Sequence, residues 1–324
     1  LTILAIAAAV AAASLTSRDA SARAESGTVR LVAYSTPREA YAELTEDFKD
    51  TTAGRDTSFE QSYGASGEQA RAVIAGLKAD VVALSLEPDM TKLVKAKLVA
   101  PTWKKNRFEG MVTRSVVVFV VRKGNPKKIR TWADLVKPDV DVVTPNVQTS
   151  GGAKWNVMAA YGAQRKIGLS HARAVKYLEK LYGNVVSQDK SAREALQTFT
   201  AGRGDVLLAY ENEAIFAQKR DQPIDFVIPK STITIENPIA VTKSSGNKTT
   251  ANGFLRFLRT KPAQLVFGEN GYRPVLRSAA KTFGFPVPKL QFTIEYLGGW
   301  PKVDKQFFDS RTGIVTRIQR RQGG

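Results

Sequence analysis

The sequence predicts an α/β protein, its mostly parallel sheet flanked by helices, in more than one domain. Three observations lead there. Apolar runs of strand length alternate with amphipathic stretches along nearly the whole chain, as parallel strands joined by crossover helices require. Serine, glycine and proline sit where the helices would start. The 324 residues, 43% hydrophobic and 24% charged, suffice for one large or two medium cores, and two domains suit that length better.

Taken in order, TVRLVAY reads as a strand and STPREAYAELTEDFKD as a helix, capped by Ser35 or Thr36 and opened by Pro37, with Tyr41, Leu44 and Phe48 on one face. TSFEQSY and EQARAVIAGLKA repeat the unit across a loop from Gly64 to Gly67, the helix burying Val73, Ile74 and Leu77, and ADVVALSL is the next strand. SVVVFVVRKGNP is a central strand leaving one domain, and IRTWADLV opens a short helix. Val140, Val142 and Val143 form a strand before TPNVQTSGGAKWN, after which WNVMAAYG is helical. SHARAVKYLEKLYG turns Val175, Leu178 and Leu181 inward, and NVVSQDK, SAREALQTFTAG and GDVLLAY give strand, helix and strand. FVIPKSTITIENPIAVTKSS is extended, because its prolines exclude helix. NGFLRFLRT and PAQLVFGENGY are helices, a last helix starts around Trp300, and the tail RTGIVTRIQRRQGG is expected to be loose.

The first 24 residues differ in kind. LTILAIAAAVAAASL is too short to span a bilayer comfortably and leads through a polar stretch to Ala22-Arg23-Ala24, the form of a secretory signal cleaved before Glu25. The mature chain is therefore expected to be exported, and a sequence without cysteine carries no bacterial lipid anchor at the cleavage site. Without Arg18, Arg23 and Asp19, the 48 basic and 30 acidic residues become 46 and 29, a net charge of +17. Such a field suits a polyanion, an anionic envelope or the steering of a small anion. The basic residues are scattered among acidic neighbours, with no basic stretch interleaved with aromatics, so nucleic acid is not an expected partner. The lack of cysteine and the single histidine, His171, argue against thiolate and multi-histidine metal sites and against cysteine or serine–histidine catalysis.

Four strand-to-helix junctions share one arrangement: Ser35-Thr36-Pro37, Ser66-Gly67, Ser150-Gly151-Gly152 and Ser191-Ala192-Arg193. Where a helix opens, its first N–H groups lack acceptors, and glycines let an anion approach them closely. In a parallel sheet such junctions all lie at the carboxyl edge, so two facing sheets could aim all four at one cleft. Ordinary helix capping accounts for the same residues and stays open at this point.

Through AYSTPRE, QSYGASGEQA, VRKGNPKKI, TPNVQTSGGAKWN, GDVLLAYENEA and NGYRP, from about Val29 to Trp300, the chain resembles the bacterial periplasmic sulfate-binding proteins, the solute receptors of sulfate/thiosulfate ABC importers. The resemblance implies a type II periplasmic-binding-protein fold, two α/β lobes joined by hinge strands and closing on a dehydrated oxyanion. With the expected signal peptide (1–24) before it and the basic tail (311–324) after it, the implied division is a first part of lobe 1 (25–120), lobe 2 (121–238) and a return segment of lobe 1 (239–310). The resemblance also implies ligand contacts from the main-chain N–H groups of Ser35, Ser66, Gly151, Gly152 and Ala192, from the Ser150 hydroxyl and from Tyr210, with Arg193 supporting. Ser35 stands where relatives carry aspartate, and Tyr210 where they carry a tryptophan whose indole N–H donates. A phenol can accept as well as donate. The implied partners are sulfate or thiosulfate and the membrane permease subunits of an ABC transporter, for a monomer without cofactor or metal.

An all-donor pocket satisfies the four acceptor oxygens of sulfate but leaves the proton of hydrogen phosphate unpaired, at a cost of about 1–3 kcal/mol. Glu211 and Glu213 are the obvious pair for acid–base catalysis. No nucleophile or metal ligands accompany them, and the resemblance implies that they are structural, bonding nearby backbone or neighbouring-domain groups; Tyr63, Trp155, Tyr272 and Trp300 are expected to be core or hinge packing. The expected function is therefore a receptor and not an enzyme, with phosphate, molybdate or tungstate as alternative guests and an envelope polyanion as a more distant one.

Overall fold

The structure, a computed structural model, describes residues 27–322, so the expected signal peptide lies outside the described residues. The first lobe is built from β1 (Thr28–Tyr34), α1 (Arg38–Lys49), β2 (Ser58–Gly64), α2 (Ser66–Ile74), β3 (Val81–Ala83) and α3 (Glu87–Lys95). β4 (Met111–Arg122) leads out of it. The second lobe follows with β5 (Val142–Pro145), α4 (Gly151–Lys166), α5 (His171–Gly183), β6 (Val185–Asp189), α6 (Ala192–Thr200), β7 (Val206–Tyr210), α7 (Glu211–Gln218) and β8 (Ile224–Val227). β9 (Thr234–Val241) returns to α8 (Lys248–Phe257), α9 (Lys261–Glu269), β10 (Arg273–Pro274) and α10 (Arg277–Phe283), and α11 (Gly299–Phe308) and α12 (Ile314–Arg321) close the chain.

The strand order β2-β1-β3-β9-β4-β7-β5-β6 makes the two lobes halves of one sheet. β1 runs parallel to β2 and β3, and β5 parallel to β6 and β7. β4 joins the halves because of its length. Its first half, Met111 to Val116, pairs antiparallel with β9, while Val117 to Val121 pair with β7. A strand of 12 residues is about twice the usual length, and its unbroken apolar run is what burial on both faces demands. β4 and β9 thus carry the chain between the lobes.

Each lobe has its own core. Leu31 of β1 packs with Tyr41, Leu44 and Phe48 of α1 and with Phe254 and Phe267. Those three α1 positions follow the helical period and so share a face. Phe119, Trp155, Leu178 and Leu208 belong to the second core.

Four local expectations are corrected. Ile74 and Leu77 are 45% and 41% exposed, because α2 stops at Ile74 and Gly76, at φ +109°, turns the chain out of the helical period. Neither Ser35 nor Thr36 caps α1, which starts after Pro37 without a side-chain cap, and the Thr36 hydroxyl pairs instead with Tyr272 at 2.8 Å. The tail is not loose from end to end: Ile314, Val315 and Ile318 of α12 are buried in the second core, an apolar stripe that the neighbouring arginines mask in the sequence. Finally, the return segment does not stay with the first lobe as far as 310. Phe292, Trp300 and Phe307 pack in the second core, Trp300 sits edge-on to Trp155 at 4.7 Å, and Lys154 meets Asp304 at 2.6 Å. No helix among the described residues is long and apolar enough to cross a membrane.

Candidate functional site

The carboxyl ends of β1, β2, β3, β5, β6 and β7 meet between the lobes, where loops of a doubly wound sheet form their cleft. They enclose a chamber lined from the first lobe by Tyr34, Ser35, Thr36, Ala65, Ser66 and Ser85, and from the second by Ser150, Gly151, Gly152, Ala192 and Tyr210. Its volume is about 10 Å³, far below the roughly 300–1,000 Å³ of sites for drug-sized ligands. None of the lining side chains carries a formal charge.

All seven residues anticipated as ligand contacts line this chamber, and Arg193 does not. Capping accounts for one junction of the four. Ser191 caps α6 by accepting from the Glu194 N–H at 3.2 Å. Ser150 occupies the N-cap position of α4 but makes no capping bond, which leaves its hydroxyl to the chamber. Ser66 is the first residue of α2, and its side chain donates to the buried Asp89 carboxylate at 2.7 Å while accepting from the Ser85 N–H at 3.0 Å. That side chain fixes the turn, so the group Ser66 has left to offer is its main-chain N–H. Among the described residues, the N–H groups of Ser35, Ser66, Gly151, Gly152 and Ala192 meet no protein acceptor. Such unpaired donors at helix N-termini, with the positive ends of the helix dipoles behind them, attract an anion.

The lobes are closed on each other. The Gly67 N–H donates to Thr149 O at 2.9 Å, the Trp155 indole donates to Ser85 O at 2.9 Å, and the hydroxyls of Ser85 and Tyr210 share a bond of 2.7 Å. Tyr210 thus spans the cleft, and Tyr210→Phe is expected to weaken ligand binding by about tenfold or less in a calorimetric titration, the worth of one neutral hydrogen bond.

Arg193 is a clasp between the lobes. From the first turn of α6 its guanidinium donates twice to Glu213 (2.9 and 3.0 Å), twice to Glu39 of α1 (2.8 and 3.0 Å) and once to Thr36 O (3.0 Å). Burial alone would depress this guanidinium, but Glu213 and Glu39 more than reverse that and hold it above its ordinary value. Burial works against the Glu39 carboxylate as well, and the Arg193 hydrogen bonds outweigh it and hold its pKa below the ordinary 4.5. A depressed carboxylate stabilises the closed form above its ordinary pKa, and that stabilisation is lost as pH falls through the lowered one. The contribution of Glu39 to ligand affinity is therefore expected to be fully present above about pH 4.5 and to fall below it. Glu39→Gln should bind more weakly and lack the acid limb. Both buried glutamates are paired with arginine side chains, Glu213 with Arg193 of its own lobe and Glu211 at 2.7 Å with Arg273 of the segment that returns to the first lobe.

Sequence reasoning missed Tyr34, Thr36, Ala65 and Ser85 in the lining. For Ser85 the signal was present: Ser85-Leu86-Glu87-Pro88 is a fifth serine at a strand-to-helix junction, with proline in the first turn of α3.

Fold and chamber together define the class, a two-lobed α/β solute-binding protein closing on a small guest. The chain matches the family of bacterial extracellular solute-binding proteins over residues 29–273, and it belongs to that family and, within it, to the sulfate-binding proteins. It is 42% identical to the sulfate-binding protein of Synechococcus elongatus over 308 residues, covering 91% of this chain and 87% of the relative. It is 34% identical to the thiosulfate-binding protein of Escherichia coli K12 over 295 residues, covering 86% and 87%. Among solved structures it is similar to the sulfate-binding protein SubI from Mycobacterium tuberculosis H37Rv, at a TM-score of 0.85 and 41% identity, covering 87% of this chain and 99% of that one. It is a binding protein and not an enzyme.

Proposed function

We propose that the chain is an extracytoplasmic receptor that holds sulfate between its lobes, takes thiosulfate as a second substrate, and delivers the anion to the permease of an ABC transporter. One observation carries this reading: a small chamber closed by both lobes, lined by neutral N–H and O–H groups at helix starts, with no charged side chain in the lining. The proposed contacts are the N–H groups of Ser35, Ser66, Gly151, Gly152 and Ala192 and the Ser150 hydroxyl, with Tyr210 in the wall and Arg193 holding the lobes. Sulfate offers acceptors only, so donors from both lobes satisfy it, and its charge spreads over several helix ends without a counter-ion. Hydrogen phosphate brings a proton that the N–H groups cannot accept. Because donors come from both lobes, ligand stabilises the closed form, and it is that form the permease would recognise. Export by cleavage after residue 24 and action as a monomer complete the proposal.

The test is calorimetric titration of the purified chain with sulfate, thiosulfate, phosphate, molybdate and tungstate. Tight binding of sulfate, with thiosulfate comparable or weaker and phosphate far weaker, is the expected result. Preference for phosphate, molybdate or tungstate would assign the chamber to a different oxyanion.

A further inference from the structure

We infer that the Tyr34 hydroxyl is an additional donor to the bound oxyanion, one that ties ligand recognition to the first lobe's central strand. The inference rests on the proposed function and deepens it. Tyr34 is the last residue of β1, lines the chamber and is 4% exposed. Among the described residues its hydroxyl is a buried polar group without a hydrogen-bond partner. Three hydroxyls lie near it, those of Tyr272, Thr36 and Thr113, and each already has another partner: Thr36 pairs with Tyr272 at 2.8 Å, and Thr113 donates to Asn237 at 3.0 Å. The Tyr210 hydroxyl, by contrast, is shared with Ser85. A buried hydroxyl left unpaired costs free energy that a ligand oxygen recovers. Burial raises the Tyr34 phenol well above its ordinary value, so it stays protonated and able to donate.

Position gives this donor a further role. Although Tyr34 belongs to the first lobe, its ring packs within the second lobe's core. Its hydroxyl lies among Tyr272, Thr36 and Thr113, on the first-lobe side of the chamber. A first-lobe donor facing the second-lobe donors across the chamber adds affinity for the state in which both reach the ligand, which is what drives closure.

The test compares Tyr34→Phe with the parent in two measurements, sulfate affinity by calorimetry and thermal stability of the ligand-free protein. Affinity is expected to fall about ten- to a hundredfold, the loss of a hydrogen bond to an anion. Ligand-free stability should hold or rise, because the deleted hydroxyl was unpaired. Tyr272→Phe serves as a control: it removes a paired hydroxyl close by, so stability should fall while affinity stays near the parent's. Unchanged sulfate affinity in Tyr34→Phe overturns the inference and leaves the receptor reading intact. A parallel fall in affinity and ligand-free stability would make Tyr34 structural and overturn it too. A parent that binds none of the oxyanions overturns the receptor reading and this inference together.

Discussion

Gly151→Val is expected to fold normally and to lose sulfate binding by at least about a hundredfold, as about 3 kcal/mol of overpacking implies. A Cβ at this position would lie 2.1 Å from Leu86 Cδ2, 2.5 Å from Ser85 Oγ and 2.9 Å from Ser85 Cβ. The leucine methyl could swing away, but Ser85 cannot. Its hydroxyl is held by Tyr210, and its carbonyl accepts from Trp155 and Asn237. Gly151 opens α4 in the second lobe, whereas Ser85 and Leu86 follow β3 in the first, so the overlap exists only when the lobes are together. The substitution therefore acts on closure, and the melting temperature of the ligand-free protein should change little. The adjacent glycine is different in kind: a Cβ at Gly152 would meet Ala192, Ser150 and Tyr210 at 3.4–3.5 Å, which is ordinary contact. Calorimetry together with a thermal melt separates lost closure from lost folding, and parent-like affinity in Gly151→Val would mean that binding does not need the closed arrangement.

Arg193→Gln is expected to cost about 3–5 kcal/mol of stability, the effect of breaking a buried ion pair from one side. The loss comes chiefly from what remains. Glu213 is fully buried, its side chain 1% exposed, and Arg193 is its ion-pair partner, with the guanidinium also stacked 3.9 Å over Phe216. Burial already raises the Glu213 carboxyl above its ordinary 4.5, with Arg193 opposing the shift. Without Arg193 the shift should grow. A raised carboxyl pKa means that the folded state holds a proton the unfolded state has released, so this stabilisation is present below about 4.5 and is lost as pH rises through the raised value. Urea unfolding at about pH 5 and about pH 8 should show the variant closest to the parent at the lower pH. Adding Glu213→Gln should recover part of the loss at the higher pH. Equal stability of variant and parent at both values would show that the clasp contributes nothing.

How far the site could be read from sequence follows from which of its interactions are local. Ser150-Gly151-Gly152 between an apolar strand and a helix is a short-range pattern, and so are Ser35, Ser66 and Ala192 beside their strands. These junctions could be found one at a time, and the parallel sheet explains why they converge. Arg193 could not be understood in this way, since its partner Glu39 is 154 residues distant in sequence. It read as a cation supporting the anion, yet two carboxylates and the Thr36 carbonyl take its donors. Tyr34 was hidden for a related reason. A tyrosine closing a strand reads as packing, and only the tertiary arrangement reveals a hydroxyl without a partner. Local pattern also failed where composition concealed it, as in α12, whose three buried aliphatic residues lie among arginines. The division of β4 between the two halves of the sheet was legible only as a long apolar run, because pairing with β9 on one half and β7 on the other is a non-local choice.

The central claim is that peptide and hydroxyl donors from two lobes hold a doubly charged anion with no cationic side chain touching it. A crystal structure of the sulfate complex measures this directly. The anion should lie inside the chamber, accepting from the N–H groups of Ser35, Ser66, Gly151, Gly152 and Ala192 and from the Ser150 hydroxyl, with Arg193 still clasping Glu39 and Glu213. A sulfate gripped by arginine or lysine side chains, or seated outside this chamber, would contradict it.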